Sequence, residues 1–161
     1  MTLAKRLHTG DAEFIDTKAG TVYQSRLTDM PEKPDPILNT LSKNFLEQVK
    51  KQQDAIAMRK KRYGIWQEYS WNDVYDHVSN VFHGLIALGL KTDETVIVIG
   101  ENDPEMYWSQ IATHAASAMT CSVFADALPD PDLVYVAHST NATFIIAHDQ
   151  EQVDKALMIK E

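Results

Sequence analysis

The sequence predicts an α/β fold: an N-terminal helix and β-hairpin, then a parallel, doubly wound β-sheet with flanking helices. Three observations carry it. Thr95-Val96-Ile97-Val98-Ile99 is an unbroken β-branched run, the pattern of a strand covered on both faces. From Ser70 onward the patterns alternate as α-β-α-β-α-β-α, and strands separated by helices pair in parallel through right-handed crossovers. At 161 residues, 44% hydrophobic and 24% charged, the chain has the size and composition of one soluble domain with a core of its own.

Residues 1–37 differ from the rest. Their apolar residues have no period, and Pro31, Pro34 and Pro36 fall close together. Proline fixes φ and removes a donor, so this end reads as an extended arm, packed across another surface or partly disordered. From Asn39 to Gln53, Leu41, Phe45, Leu46 and Val49 recur at helical spacing. Ala55 to Met58 is a short strand, Arg59-Lys60-Lys61-Arg62-Tyr63-Gly64 a turn, and Ile65 to Tyr69 the returning strand of a hairpin with a basic tip. The basic run could touch acidic lipid or a phosphate; four charges by themselves favour the plainer reading of a solvated turn.

Ser70 opens a helix, with Asp73 three residues on to complete a capping box. Val74, Val78, Val81, Phe82, Leu85 and Leu88 form its apolar face. Gly84 sits inside it, where glycine costs about 1 kcal/mol against alanine; close packing against a neighbouring backbone is the expected reason. Gly89 stands where a left-handed C-terminal cap is needed. After strand 95–99, Gly100 to Asp103 turn the chain, with Asp103 as cap and Pro104 at the first helical position. Trp108, Ile111, Ala112, Ala115 and Ala116 give this helix a mostly small face. Met119 to Phe124 is a strand, Pro129 to His138 a short helix, and Thr143 to Ala147 a strand. Asp149 caps a last helix bearing Val153, Ala156, Leu157 and Ile159.

The formal net charge of −8 excludes a nucleic-acid footprint and disfavours an anionic membrane surface, a local basic patch aside. The single cysteine, Cys121, permits no internal disulfide, fits a reducing cytoplasm, and lies in an apolar stretch as a small buried hydrophobe. No apolar run approaches the ~20 residues of a membrane span, and the opening MTLAKRLHTGDAEF lacks the apolar core of a secretory signal. Asn141-Ala142-Thr143 matches the glycosylation sequon by chance in such a setting.

Several passages resemble the acyl-CoA synthetase branch of the adenylate-forming superfamily. Ile65-Trp66-Gln67-Glu68-Tyr69-Ser70-Trp71 is similar to the family's strand and turn before its first large helix. Leu85-Ile86-Ala87-Leu88-Gly89-Leu90, then Asp93 and Val96 to Ile99, resembles its "GL..LG…GD.V.I" passage. Asn102-Asp103-Pro104-Glu105 looks like its "N-x-P-E" helix start. His148 to Lys155 resembles the segment after the next strand in long-chain members. No one piece is specific; their order and spacing over residues 39–160 are. Three departures stand out. Ser117 replaces a usual glycine, Met106 a frequent aromatic, and Phe124-Ala125-Asp126 the commoner Tyr-Pro-Thr type of turn, which weakens any inference about an acyl pocket from that loop.

The resemblance implies an incomplete N-terminal α/β subdomain, 38–161, of an AMP-binding ligase. It implies ATP, Mg and coenzyme A for the parent enzyme, which would join a carboxylic acid to coenzyme A through an acyl-adenylate. No catalytic, cofactor-binding or metal residue is assigned in this chain. A phosphate cradle is normally glycine-rich. Here the six glycines, at 10, 20, 64, 84, 89 and 100, stand alone, and no Ser/Thr/Gly-rich loop precedes a lysine. The family's ATP loop, adenine and ribose contacts and catalytic lysine map beyond this chain. The end at Glu161, just after a capped helix, reads as a cut, and exposed apolar surface predicts marginal stability as a free monomer.

Other candidate sites reduce to plainer readings. Gly100-Glu101-Asn102 lies where α/β proteins bind anions, yet one glycine beside an acid reads as a structural turn. The histidines at 8, 77, 83, 114, 138 and 148 lack metal-ligand spacing. Trp66, Trp71 and Trp108 read as core. The implied partners are the remainder of the ligase or a complementary chain, with a homodimer possible. Two rivals remain: a stand-alone interaction module, and a small nucleotide-binding protein using Gly100 to Asp103.

Overall fold

The computed structural model describes residues 12–17, 20–25 and 40–159. The chain divides into two compact units, Met1–Ile37 and Leu38–Glu161. In the first, β1 (Ala12–Thr17) and β2 (Gly20–Ser25) pair antiparallel, Ala12 opposite Ser25 and Thr17 opposite Gly20. The arm expected there thus contains a hairpin that no apolar period announced. The three prolines of the arm lie outside the described residues.

The second unit begins with α1 (Leu41–Gln52), capped by the Thr40 hydroxyl, which accepts from Lys43 N at 3.2 Å. Its apolar face is only partly covered: Phe45 packs near Trp71, while Leu41 and Leu46 face outward. Strands β3 (Ile56–Arg62) and β4 (Ile65–Ser70) form an antiparallel hairpin with a register shift between Ile56 and Met58. The basic run expected to be the turn is strand instead. The turn is Tyr63-Gly64 alone, both with positive φ (50° and 81°), the backbone of a two-residue hairpin loop. Alternation along β3 sends Lys60 inward and Arg59 and Lys61 outward, so charge does not stop the strand.

Helix α2 (Trp71–Ala87) carries the full capping box: Asp73 N donates to the Ser70 hydroxyl, and Ser70 N donates to the Asp73 carboxylate. The Ser70 hydroxyl, and after it the Ser70 N–H, donate to the exposed Asp73 carboxylate and hold it below its ordinary value. At its other end Gly89 (φ 96°) donates to Ile86 O and Leu90 N to Leu85 O, both at 3.0 Å. That is a Schellman closure, with Leu85 and Leu90 buried together. Gly84 has nothing within 4 Å of where a Cβ would stand, so the expected close backbone is not there.

The sheet has strand order β6-β5-β7, all parallel: β5 (Thr95–Gly100) at the centre, β6 (Met119–Phe124) and β7 (Ala142–Ala147) on its flanks. Every residue of β5 is buried. Val96 and Val98 join Leu85, Leu90 and Ala118 in one core; Ile97 and Ile99 join Val123 and Leu133 in another. The chain leaves β5 toward β6, then crosses back past β5 to β7. Right-handed crossovers in opposite directions put their helices on opposite faces. Accordingly α3 (Pro104–Ala115) lies on the Val96 side, while α4 (Val134–Thr140) and α5 (Gln150–Met158) pack on the Ile97 side.

Two polar residues of α3 are buried, Ser109 and Thr113. Their hydroxyls donate to Glu105 O and Ser109 O, both at 2.8 Å, so neither is left unsatisfied against the core. The helix expected over 129–138 is split. Pro129–Leu133 is kinked, with Asp130 outside helical angles (φ −126°, ψ 128°), and regular helix starts only at Val134. Asp149 caps α5 as expected, accepting from Gln152 N at 3.1 Å. No described helix is long and apolar enough to cross a membrane.

Two glycines make opposite predictions. Gly84→Ala should raise stability by about 1 kcal/mol, because it meets open space in a helix interior. At Gly100 a Cβ would lie 2.3 Å from His148 Cβ. Gly100→Ala should therefore lower stability by about 1–3 kcal/mol. Urea unfolding followed by circular dichroism checks both signs.

Candidate functional site

From the carboxyl ends of the neighbouring strands β5 and β7 the chain departs to opposite faces, into α3 and α5, the kind of place where open α/β sheets set their ligand crevice. An open crevice of about 610 Å³ lies there, bordered by Gly100, Asp103, Glu105, His148 and, from the hairpin, Lys60 and Arg62. Each group arrives by a different local rule. Asp103 and Glu105 flank Pro104 at the start of α3, where carboxylates favour the helix dipole. His148 follows β7, its N–H extending the ladder to Ile99 O at 3.0 Å. Lys60 is an inward position of β3.

Lys60 Nζ lies 2.8 Å from Asp103 Oδ2 and 3.1 Å from Glu105 Oε2. His148 Nε2 approaches Asp103 Oδ2 to 3.3 Å. Asp103 was expected to cap α3 with its side chain; it makes no such bond, because its carboxylate is turned to Lys60 and His148. Burial by itself pushes the Lys60 ammonium down. Hydrogen bonds to Asp103 and Glu105, with their charges, outweigh burial and hold it above its ordinary 10.5.

Asp103, Glu105 and His148 offer ligand atoms within 4.8 Å of one another, a geometry open to a divalent ion. The Lys60 ammonium already pairs with both carboxylates, so a metal would have to displace it. Nor do these residues fit a triphosphate. The Lys60 ammonium is paired and leaves Arg62 as the one unpaired cation of the described lining, Glu101, Glu105 and Asp149 line the same wall, and the space beside Gly100 is filled by His148. Lys60 and its two carboxylates tie the hairpin to the start of α3.

The remaining candidates are dispersed. Among the other described histidines, His77 stacks on Trp108 at 3.9 Å, His114 Nε2 lies 3.0 Å from Thr120 Oγ1, and His83 and His138 are exposed. His8 lies outside the described residues. Cys121 is half-buried rather than fully buried. Trp108 is core and Trp71 half-buried, but Trp66 is exposed, contrary to expectation. Sequence spacing missed the His148–Asp103–Lys60 group because its members come from three elements; the only signal was the carboxylate pair around Pro104.

Replacing Lys60 by Met should cost about 1–2 kcal/mol at neutral pH, the worth of charged hydrogen bonds reduced for partial exposure. A group whose folded value is raised stabilises fully below its unfolded value, and the contribution fades as pH rises through the folded one. The gap in urea midpoint between the chain and Lys60→Met should therefore hold from neutral pH up to 10.5 and shrink above it.

With this geometry in view, the likeness to known proteins has a structural meaning. Residues 45–161 match the model of the AMP-binding enzyme family. A long-chain-fatty-acid–CoA ligase of Homo sapiens is 29% identical over 120 residues, covering 74% of this chain and 16% of that protein. An uncharacterized protein of Mycobacterium tuberculosis is 29% identical over 131 residues, covering 81% of this chain and 71% of that protein. Among solved structures, an anthranilate CoA ligase bound to anthranoyl-AMP aligns with a TM-score of 0.70 at 18% identity, over 81% of this chain and 24% of that one. The chain spans about one sixth of the ligases it matches. By the family match, and by a sheet and helices folded as in adenylate-forming enzymes, the chain belongs to the AMP-binding enzyme family and corresponds to the N-terminal part of an AMP-forming acyl-CoA synthetase.

Proposed function

We propose that this chain scaffolds the adenylation domain of an ATP-dependent, AMP-forming fatty acyl-CoA ligase and does not catalyse alone. The family match over residues 45–161, across nearly the whole second unit, carries the reading. In the parent reaction a carboxylate oxygen attacks the α-phosphorus of ATP, giving acyl-adenylate and pyrophosphate. The thiol of coenzyme A then displaces AMP. Magnesium accompanies the nucleotide. The similarity to long-chain-fatty-acid–CoA ligases supports a fatty acyl substrate. The single cysteine fits a cytoplasmic setting.

The chain's own residues supply rigidity. Lys60 bridges the hairpin to α3, and the double core around β5 holds the sheet. The remainder of the ligase, or a complementary chain, is the natural partner for the half-covered apolar sides of α1 and α5 and for the outer edges of β6 and β7, which pair with no further strand among the described residues. The isolated chain should show no fatty-acid-dependent exchange of pyrophosphate into ATP; clear exchange from a homogeneous sample overturns the reading.

A second reading, a stand-alone interaction module or split-enzyme subunit derived from such a ligase, is favoured by the mycobacterial relative, most of whose length this chain covers. It predicts concentration-dependent self-association in analytical ultracentrifugation, abolished by a complementary chain. A monodisperse monomer at all concentrations counts against it.

A further inference from the structure

The tip of the β3–β4 hairpin joins two kinds of side chain that plain solvated turns do not combine. Register sets Lys61 opposite Trp66 and Arg62 opposite Ile65, with Tyr63-Gly64 closing the loop. Tyr63 is 91% exposed, Ile65 71% and Trp66 61%. The Lys61 ammonium lies 5.9 Å from the Trp66 ring centre, and the Arg62 guanidinium 5.6 Å from that of Tyr63. Each cation thus shares a side of the tip with an aromatic ring.

The four charges of the basic run have separate fates. Lys60 is held by Asp103 and Glu105, and Arg59 by Glu68 at 2.9 Å. Lys61 and Arg62 have no acidic partner among the described residues. Two unneutralised cations therefore project, with three large apolar or aromatic side chains, from a chain of net charge −8.

We propose that this tip docks onto an anionic lipid bilayer surface. Trp and Tyr favour the bilayer–water interface, where an apolar ring and a polar edge are both accommodated. Lys and Arg beside them meet lipid phosphates, and cations near an anionic leaflet bind it measurably. Of the tip residues Arg62 alone also borders the crevice at Gly100; Lys61, Tyr63, Ile65 and Trp66 stand clear of it, and a soft interface needs no pocket. The acidic remainder of the chain is repelled by the same surface, so the tip faces it and the body does not. The inference rests on the tip alone and is independent of the acyl-CoA reading.

The test is co-sedimentation of the full 161-residue chain with two kinds of vesicle: phosphatidylcholine alone, and equal parts phosphatidylcholine and phosphatidylglycerol. The expected result is binding to the anionic vesicles only, weakened by salt and accompanied by a blue shift of tryptophan emission that Trp66→Ser removes. The variant K61E/R62E should bind about thirty-fold more weakly, on roughly five-fold per cation lost. The control K50E/K51E, which makes the same charge change at the end of α1, should bind as the unmodified chain does. No binding to anionic vesicles overturns the proposal. So does binding that K61E/R62E leaves unchanged, which would trace it to apolar surface elsewhere. Equal loss in both double variants would trace it to overall charge and overturn it too.

Discussion

The central strand β5 is the constraint on which the second unit depends. It pairs in parallel on both sides, and all six of its residues are buried. Its alternation divides the apolar mass in two, Val96 and Val98 for one face and Ile97 and Ile99 for the other. Neither face could be polar, so the sequence there is a continuous β-branched run. The Schellman closure at Gly89 matters for the same reason. It turns Leu90 back onto Leu85 at the rim of one core and aims the following chain at β5.

A second constraint is electrostatic and local. The hairpin's apolar hold comes from Ala57, Met58 and Tyr69, which pack around Val74 of α2 and Trp108 of α3. Lys60 supplies a directional tie, reaching carboxylates on both sides of Pro104. Those carboxylates are at home at a helix start, so one pair of side chains serves both the dipole of α3 and the position of the hairpin. Gly100 completes the arrangement by letting β7 run on to His148 without a Cβ in the way.

Much of this was legible in the sequence, for definite reasons. Capping residues Ser70 with Asp73, and Asp149, act within one turn of their own helix, so their roles show locally. The parallel sheet followed from alternation of element types. What stayed hidden was non-local. Gly84 looked like a packing glycine because a single chain cannot show that its neighbourhood is open. The basic run looked like a turn because charge was read without its alternation: Lys60 points in while Arg59 and Lys61 point out. Asp103 looked like a cap because its true partners lie 43 positions earlier and 45 later in the numbering, at Lys60 and His148. Local rules cannot bring such residues together; only the crossovers do.

The three-stranded order has a kinetic signature. In a parallel ladder, successive residues of a strand bond alternately to its two neighbours. A strand between two partners has every amide engaged, whereas a strand with one partner leaves half of its amides facing outward. In β5 every N–H is therefore engaged, alternately in the ladder to β6 and in the ladder to β7, while alternate N–H groups of β6 and β7 point away from β5. Amide protons of this unit should fall into interleaved classes along the edge strands, slow and fast at every second residue. Only β5 would exchange as one block, at the rate at which the whole unit opens.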